Sequence, residues 1–240
     1  MGATDTGSAL EKTLRILEVV GAPGGPHRLA ELAAGSGVAK SSAYRILSSL
    51  VEQGYAVTDG SGGYGIGLRL RSLSAQVATD RTEGIVELLE FLRRSTGQAV
   101  HLALLDGDAL TCIRTMESGL PFRTGSRTGV RMAVRSTAIG RAVLAHLPPQ
   151  RAEALVGAAE RERLTAELDD VRARGYAVDD GGHEPAVRCL GTPVFDREGR
   201  PVGGLGLAGA TSVTTREELE RLAPALLEAA RGVERLLQRG

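Results

Sequence analysis

The sequence predicts an α+β chain: an N-terminal winged helix-turn-helix domain, a linker helix, and a larger domain in which helices flank an antiparallel sheet. Two patterns carry that expectation. Between Leu29 and Val51, apolar residues at helical spacing are interrupted by Gly35-Ser36-Gly37, the layout of two helices meeting at a sharp angle, and a Gly-rich hairpin follows. Beyond Thr82, short alternating runs joined by Asp/Gly turns are interleaved with amphipathic helical stretches. The expected domains are residues 1–67, a linker helix over 68–81, and residues 82–240.

Taken in order, Leu10, Leu14, Leu17 and Val20 predict a helix with one apolar side, ended by Gly21-Ala22-Pro23-Gly24-Gly25-Pro26. Leu29, Leu32 and Ala33 begin the second helix. Ala43, Ile46, Leu47, Leu50 and Val51 give the third a buried stripe. Tyr55 to Thr58 and Tyr64 to Ile66 are short strands around the turn Asp59-Gly60-Ser61-Gly62-Gly63, which together form a wing. Leu70, Leu73 and Val77 mark the linker helix. In the larger domain, a helix around Ile85 to Leu92 precedes strands at Val100 to Leu105 and Leu110 to Thr115. Alternation between Phe122 and Val134 allows a short strand or two. A helix over Thr137 to Leu147 and two polar helices lead to strands at Tyr176 to Asp179, Ala186 to Phe195 and Pro201 to Ala208. A final long helix opens on the capping box Thr215-Arg216-Glu217-Glu218 and bends at Pro224.

The third helix carries the first functional signal. Opposite its buried stripe stand Ser41, Tyr44, Arg45 and Ser48, flanked by Lys40 and Ser42, with Arg28 at the start of the preceding helix. A face with cations and hydroxyls but no carboxylate can donate to phosphates and base edges, so the expected partner is double-stranded DNA. Bulk charge does not announce that partner. The whole chain has net charge +0, and residues 1–66 hold five Lys/Arg against six Asp/Glu. Attraction must come from local placement, and weak nonspecific binding is expected.

The segment from Leu29 to Leu68, with Lys40-Ser41-Ser42-Ala43-Tyr44-Arg45-Ile46-Leu47 and Leu50-Val51-Glu52-Gln53-Gly54-Tyr55, resembles the N-terminal domain of IclR-family transcriptional regulators. Three further stretches are similar to that family's C-terminal effector domain, in the expected order: Ser136-Thr137-Ala138-Ile139-Gly140-Arg141-Ala142, Arg174-Gly175-Tyr176-Ala177-Val178-Asp179-Asp180, and Val187-Arg188-Cys189 with Thr192-Pro193-Val194-Phe195-Asp196. The resemblance implies a GAF/PAS-like effector-binding domain, a homodimer or dimer of dimers, and a linker helix that helps to pair two DNA domains. It also implies a ligand site. In members that sense small oxo acids, the loop before the Gly140 helix, an Asp, a Cys and two strand serines surround the ligand. Thr137, Ala138, Asp179 and Cys189 match the first three groups, while Gly206 and Ala208 stand where the serines would be. Two lost hydroxyls remove about 0.5–1.5 kcal/mol of hydrogen bonding each and leave room. The expected effector is therefore bulkier and more apolar than glyoxylate or pyruvate.

Two competing readings remain. Cys189, His183 and Asp179 lie close in sequence and invite a Cys-dependent enzyme, although no oxyanion site is evident and no catalytic role is expected. The second domain could instead only oligomerise, leaving an effector-independent DNA-binding protein. The run Asp179-Asp180-Gly181-Gly182-His183-Glu184 has metal-donor chemistry but reads better as an acidic loop at a pocket mouth, so neither metal nor cofactor is expected. Two cysteines, Cys112 and Cys189, make no disulfide framework. No signal peptide or membrane-length apolar run is evident, and a cytoplasmic protein is expected.

Overall fold

The computed structural model describes residues 7–22, 24–77, 80–119, 125 and 127–238. The chain divides into two compact units, Met1–Thr79 and Asp80–Gly240.

The first unit begins with α1 (Ala9–Val20), whose cap Ser8 accepts from the Glu11 N–H while the Glu11 carboxylate accepts from the Ser8 N–H. Its buried side is only partly the expected one: Val20 is buried and Leu17 packs against the same core. Ile16 and Val20 face the core, whereas Leu10 and Leu14 are 67% and 49% exposed. The helix carries two adjacent apolar rows, and the row that meets α2 (Leu29–Ser36) and α3 (Lys40–Glu52) is the one led by Ile16. Gly37, in the left-handed region at φ 64°, closes α2 and turns the chain into α3. The wing is β2 (Ala56–Thr58) paired with β3 (Gly63–Ile66). A two-residue strand β1 (His27–Arg28), which the sequence did not predict, pairs with the other edge of β3. The helix α4 (Leu68–Val77) follows.

The second unit is built on one six-stranded antiparallel sheet. Its elements in order are α5 (Asp80–Thr96), β4 (Ala99–Asp106), β5 (Ala109–Met116), β6 (Arg131–Ala133), α6 (Ala138–His146), α7 (Pro149–Val156), α8 (Ala158–Arg174), β7 (Ala177–Asp180), β8 (Val187–Phe195), β9 (Pro201–Ala210), α9 (Arg216–Glu220) and α10 (Ala223–Gln238). The strand order is β6-β5-β4-β9-β8-β7. Because side chains alternate along each strand, the sheet has two apolar faces. Val100, Leu102, Leu190, Leu205 and Leu207 pack on α5 and α10 through Leu89, Leu226 and Val233. On the opposite face, Ala103, Leu110, Cys112 and Ala177 meet α6 and α8 through Ile139, Val143 and Val171.

Two details differ from expectation. The final helix is broken rather than bent: the Thr215–Glu218 capping box serves the short α9, and Pro224 sits in the first turn of α10, where a missing N–H costs no hydrogen bond. The second polar helix, expected over Leu164 to Arg174, starts at Ala158. The Phe122–Val134 stretch, where a short strand or two was expected, holds the strand Arg131–Ala133 among its described residues, and residues 122–124 and 126 lie outside them. No helix among the described residues is long and apolar enough to cross a membrane.

Candidate functional site

In the first unit, α3 presents Lys40, Ser41, Tyr44 and Arg45 to solvent, with Ser42 and Ser48 half-buried at its flanks. The Ser48 hydroxyl donates to the Tyr44 carbonyl at 2.9 Å, so its proton is already used along the helix. Arg28 is exposed, and its guanidinium donates to the Ser61 carbonyl in the wing turn. That turn is organised by Asp59. Its carboxylate accepts from the Ser61 N–H at 2.8 Å, the Ser61 hydroxyl at 2.9 Å and the Gly63 N–H at 2.8 Å. These backbone and hydroxyl donors hold the Asp59 carboxyl below the ordinary carboxylate range. Arg28 therefore joins the start of α2 to the wing tip.

In the second unit a small, partly open cavity of about 30 Å³ lies on the α6 side of the sheet. It brings together Thr137 and Ala138 at the start of α6, Asp179 from β7, Cys189 from β8 and Gly206 from β9. Ala208 is not part of it: its side chain packs against Ala99, Val187 and Cys189 in a separate apolar cluster. Four side chains that the sequence did not assign complete much of the wall, namely His101, Met132, Ile139 and His183. His101 could be placed in a strand from its alternation, but nothing local reveals that helices cover both faces of that strand.

The cavity is small because α6 is pressed onto the sheet. A Cβ at Gly191 would stand 2.3 Å from the Ile139 nitrogen, and one at Gly204 would stand 2.6 Å from Ile139 Cγ2. The room expected from Gly206 is likewise filled, since a Cβ there would lie 3.0 Å from Ile139 Cδ1 and 2.9 Å from the Leu190 carbonyl. The helix start that makes this close approach is ordered by Thr137, whose hydroxyl accepts from the Gly140 N–H at 3.0 Å. The N–H groups of Ala138 and Ile139 precede the first intrahelical donors and are available in type to an anion or carbonyl.

The charge at the cavity edge is internally compensated. Asp179 is buried, and its Oδ1 accepts from Arg141 Nη2 at 2.9 Å while its Oδ2 accepts from the His183 N–H at 3.1 Å. Arg141 also donates to the Val178 carbonyl at 3.0 Å and pairs with Glu167 at 2.9 Å. Burial, reinforced by the negative charges of Asp179 and Glu184, pushes the Cys189 thiol up to about 12, although Arg141 pulls the other way. An activated nucleophile requires the opposite shift. Asp179 is held by Arg141 and by a backbone N–H of His183, not by a His183 ring nitrogen, so the three residues do not form a Cys-His-Asp relay. Burial alone holds His101 neutral, with its proton affinity lowered to about 4, and its Nδ1 lies 3.4 Å from the Thr115 hydroxyl.

Both units match known proteins. Residues 9–60 match the IclR helix-turn-helix domain, and residues 79–235 match the family described as bacterial transcriptional regulator IclR C-terminal. The chain is 31% identical over 250 residues to the HTH-type transcriptional regulator BhcR of Paracoccus denitrificans, covering 96% of this chain and 88% of BhcR. It is also 31% identical over 248 residues to the glycerol operon regulatory protein of Streptomyces coelicolor, covering 96% and 95% respectively. The crystal structure of an IclR-type transcriptional regulator from Alicyclobacillus acidocaldarius superposes with a TM-score of 0.82 at 25% identity, covering 97% of this chain and 99% of that one. With the helix-turn-helix in one unit, the small cavity in the other and matches along nearly the whole chain, this protein belongs to the IclR family of transcriptional regulators.

Proposed function

We propose that the protein is a ligand-responsive regulator that reads a pseudo-palindromic operator with α3 and senses a small molecule in the α6 cavity. The observation that carries this reading is the exposed face of α3, where Lys40, Ser41, Tyr44 and Arg45 stand without a carboxylate among them. In a dimer or dimer of dimers, two such helices enter successive major grooves, so half-sites lie roughly 34 Å apart. Binding to the chromosome places its work in the cytoplasm. The cavity supports sensing rather than turnover, because the Cys189 thiol is held neutral, burial depresses the basicity of His101, and the Asp179 carboxylate is already paired with Arg141, so these groups supply no activated nucleophile.

The effector meets Thr137, Ala138, Asp179, Cys189 and Gly206, with its accepting end at the α6 start. A cavity of about 30 Å³ holds only a water or two. Any larger molecule, including the bulkier apolar effector expected from the missing serines, therefore enters only as Ile139 gives way. The bulk must be accommodated on the α6 side, since the strand floor at Gly206 is already in contact.

Operator duplexes selected from a random pool by the full-length protein provide the test. Arg45→Ala should weaken binding to the selected duplex by about 1–3 kcal/mol if Arg45 contacts a base bidentately; if it contacts only phosphate, the loss should be similar on random DNA and the salt slope should fall by about one unit. Unchanged affinity in a variant with wild-type melting would remove Arg45 from the interface and overturn the placement of α3.

A further inference from the structure

The charges around the α6 cavity do not balance. The Arg141 guanidinium lies between two carboxylates, Asp179 at 2.9 Å and Glu167 at 2.9 Å, and it also donates to the Val178 carbonyl at 3.0 Å. One cation therefore serves two anions. A third carboxylate stands at the mouth on Glu184, next in sequence to the lining residue His183, where it accepts from the Gly125 N–H at 3.0 Å and forms no ion pair among the described residues. Asp180 is accounted for separately, since Arg188 holds it at 2.6 Å. The charges that reach the Cys189 sulfur inside the cavity are those of Asp179, Glu184 and Arg141, two negative and one positive. His183 lines the cavity from an exposed position, so solvent screens its ring.

Much of the remaining wall is apolar, through Met132, Ile139, Leu190 and Leu207, and beyond Cys189 lies the cluster of Ala99, Val187 and Ala208. The polar invitation comes from the α6 start. There the Gly140 N–H is taken by the Thr137 hydroxyl, which leaves the Ala138 and Ile139 N–H groups to meet an acceptor. A carbonyl oxygen and a carboxylate suit those donors equally well in shape, and they differ in charge. A carboxylate would add a negative charge to a buried site where carboxylates already outnumber cations, with only the partial charge of the helix start to offset it. A neutral carbonyl uses the same donors without that cost. We propose, resting on the reading that this cavity senses a small molecule, that its effector is an uncharged carbonyl compound with an apolar body. The carbonyl oxygen accepts from the α6 start, and the surplus of carboxylates excludes the matching carboxylate anions.

Calorimetry of the full-length protein at neutral pH with isosteric pairs, acetophenone against benzoate and methyl butyl ketone against pentanoate, tests this. Each ketone should bind at least about tenfold more tightly than its carboxylate, the ratio that one pKa unit of charge penalty represents. Glu184→Gln keeps an acceptor for the Gly125 N–H and removes one charge, so it should strengthen carboxylate binding and leave ketone binding unchanged. Unchanged carboxylate affinity in that variant overturns the part given to the mouth. A carboxylate that matches or exceeds its ketone on the wild type overturns the proposal and leaves sensing intact. Ile139→Ala separates the two readings because it opens the wall that α6 presses onto the sheet, and Ile139→Val serves if the alanine variant melts early. Either substitution should tighten ketone binding. If neither ketones nor carboxylates bind to the wild type or to a stably folded Ile139 variant, the cavity is no sensor and both readings fall.

Discussion

Protonating His101 would place a charge inside the α6 face of the sheet, where burial has already lowered its proton affinity to about 4. The unfolded chain takes up that proton near pH 6.5, so His101 favours the folded state in full above that pH and loses its contribution as pH falls toward 4. The loss amounts to about 3 kcal/mol over that window. Urea unfolding at pH 7 and pH 4.5 should show the difference directly: His101→Gln should be markedly less acid-sensitive than wild type, and parallel pH profiles would show that His101 is not the buried base described. At this scale the sequence was informative only in part. Asp179, Cys189, Thr137 and Ala138 were legible through family resemblance, because short motifs preserve local order. His101 and His183 were not, since their place in the cavity depends on strand pairing and on a loop folding back. At Ala208 the resemblance supplied a serine position, and the side chain there packs into the small cluster with Ala99 and Val187, against Cys189.

Among the elements, α6 has the strictest requirement. A Cβ at Gly140 would stand 1.8 Å from the Val134 carbonyl oxygen, which is backbone and cannot rotate away. In an ordinary helix, replacing Gly by Ala gains about 1 kcal/mol. Here α6 and the Val134 turn that leads into it would have to move apart, and overpacking costs of about 1–3 kcal/mol outweigh that gain. Gly140→Ala should therefore lower the melting temperature and loosen the cavity, with faster amide exchange in α6; a variant as stable as wild type would show that the close seat is not required. The sequence revealed α3, the wing and the β8–β9 hairpin because each has a strong local signal: a long apolar stripe, a Gly-rich turn, and Asp196 accepting from the Glu198 and Arg200 N–H groups at 3.0 and 2.8 Å. Strand β1 has only two residues and no period to read. The core side of α1 was read only in part: Leu17 and Val20 reach the core, whereas Leu10 and Leu14 keep the same helical spacing where the helix points to solvent. The α9–α10 break escaped because Pro224 suggests a kink, and only the placement of Leu219 and Leu226 in the same core demands a corner.

For the whole molecule, the apolar clusters respect the division at residue 79. The cluster around Leu32 and Leu47 draws only on the first unit, and those around Leu207 and Val143 draw only on the second. Residues 80–240 expressed alone should fold to a cooperative unit that retains the His101-dependent acid sensitivity. A fragment that binds a hydrophobic dye and unfolds without a transition would show that its core needs the rest of the chain. Within this unit the two central strands are β4 and β9, where Ala99 stands opposite Ala208 and Leu102 opposite Leu205. The strands joined here lie about a hundred residues apart, and a ribosome adding about 5–20 residues per second needs several seconds to make that span. Throughout that interval the nascent β4–β5 hairpin has Val100 and Leu102 without their β9 neighbours and one edge unpaired. Birth of this protein thus includes a window in which a half-sheet awaits its last strand, and chaperone capture or pairing between neighbouring nascent chains is most probable there.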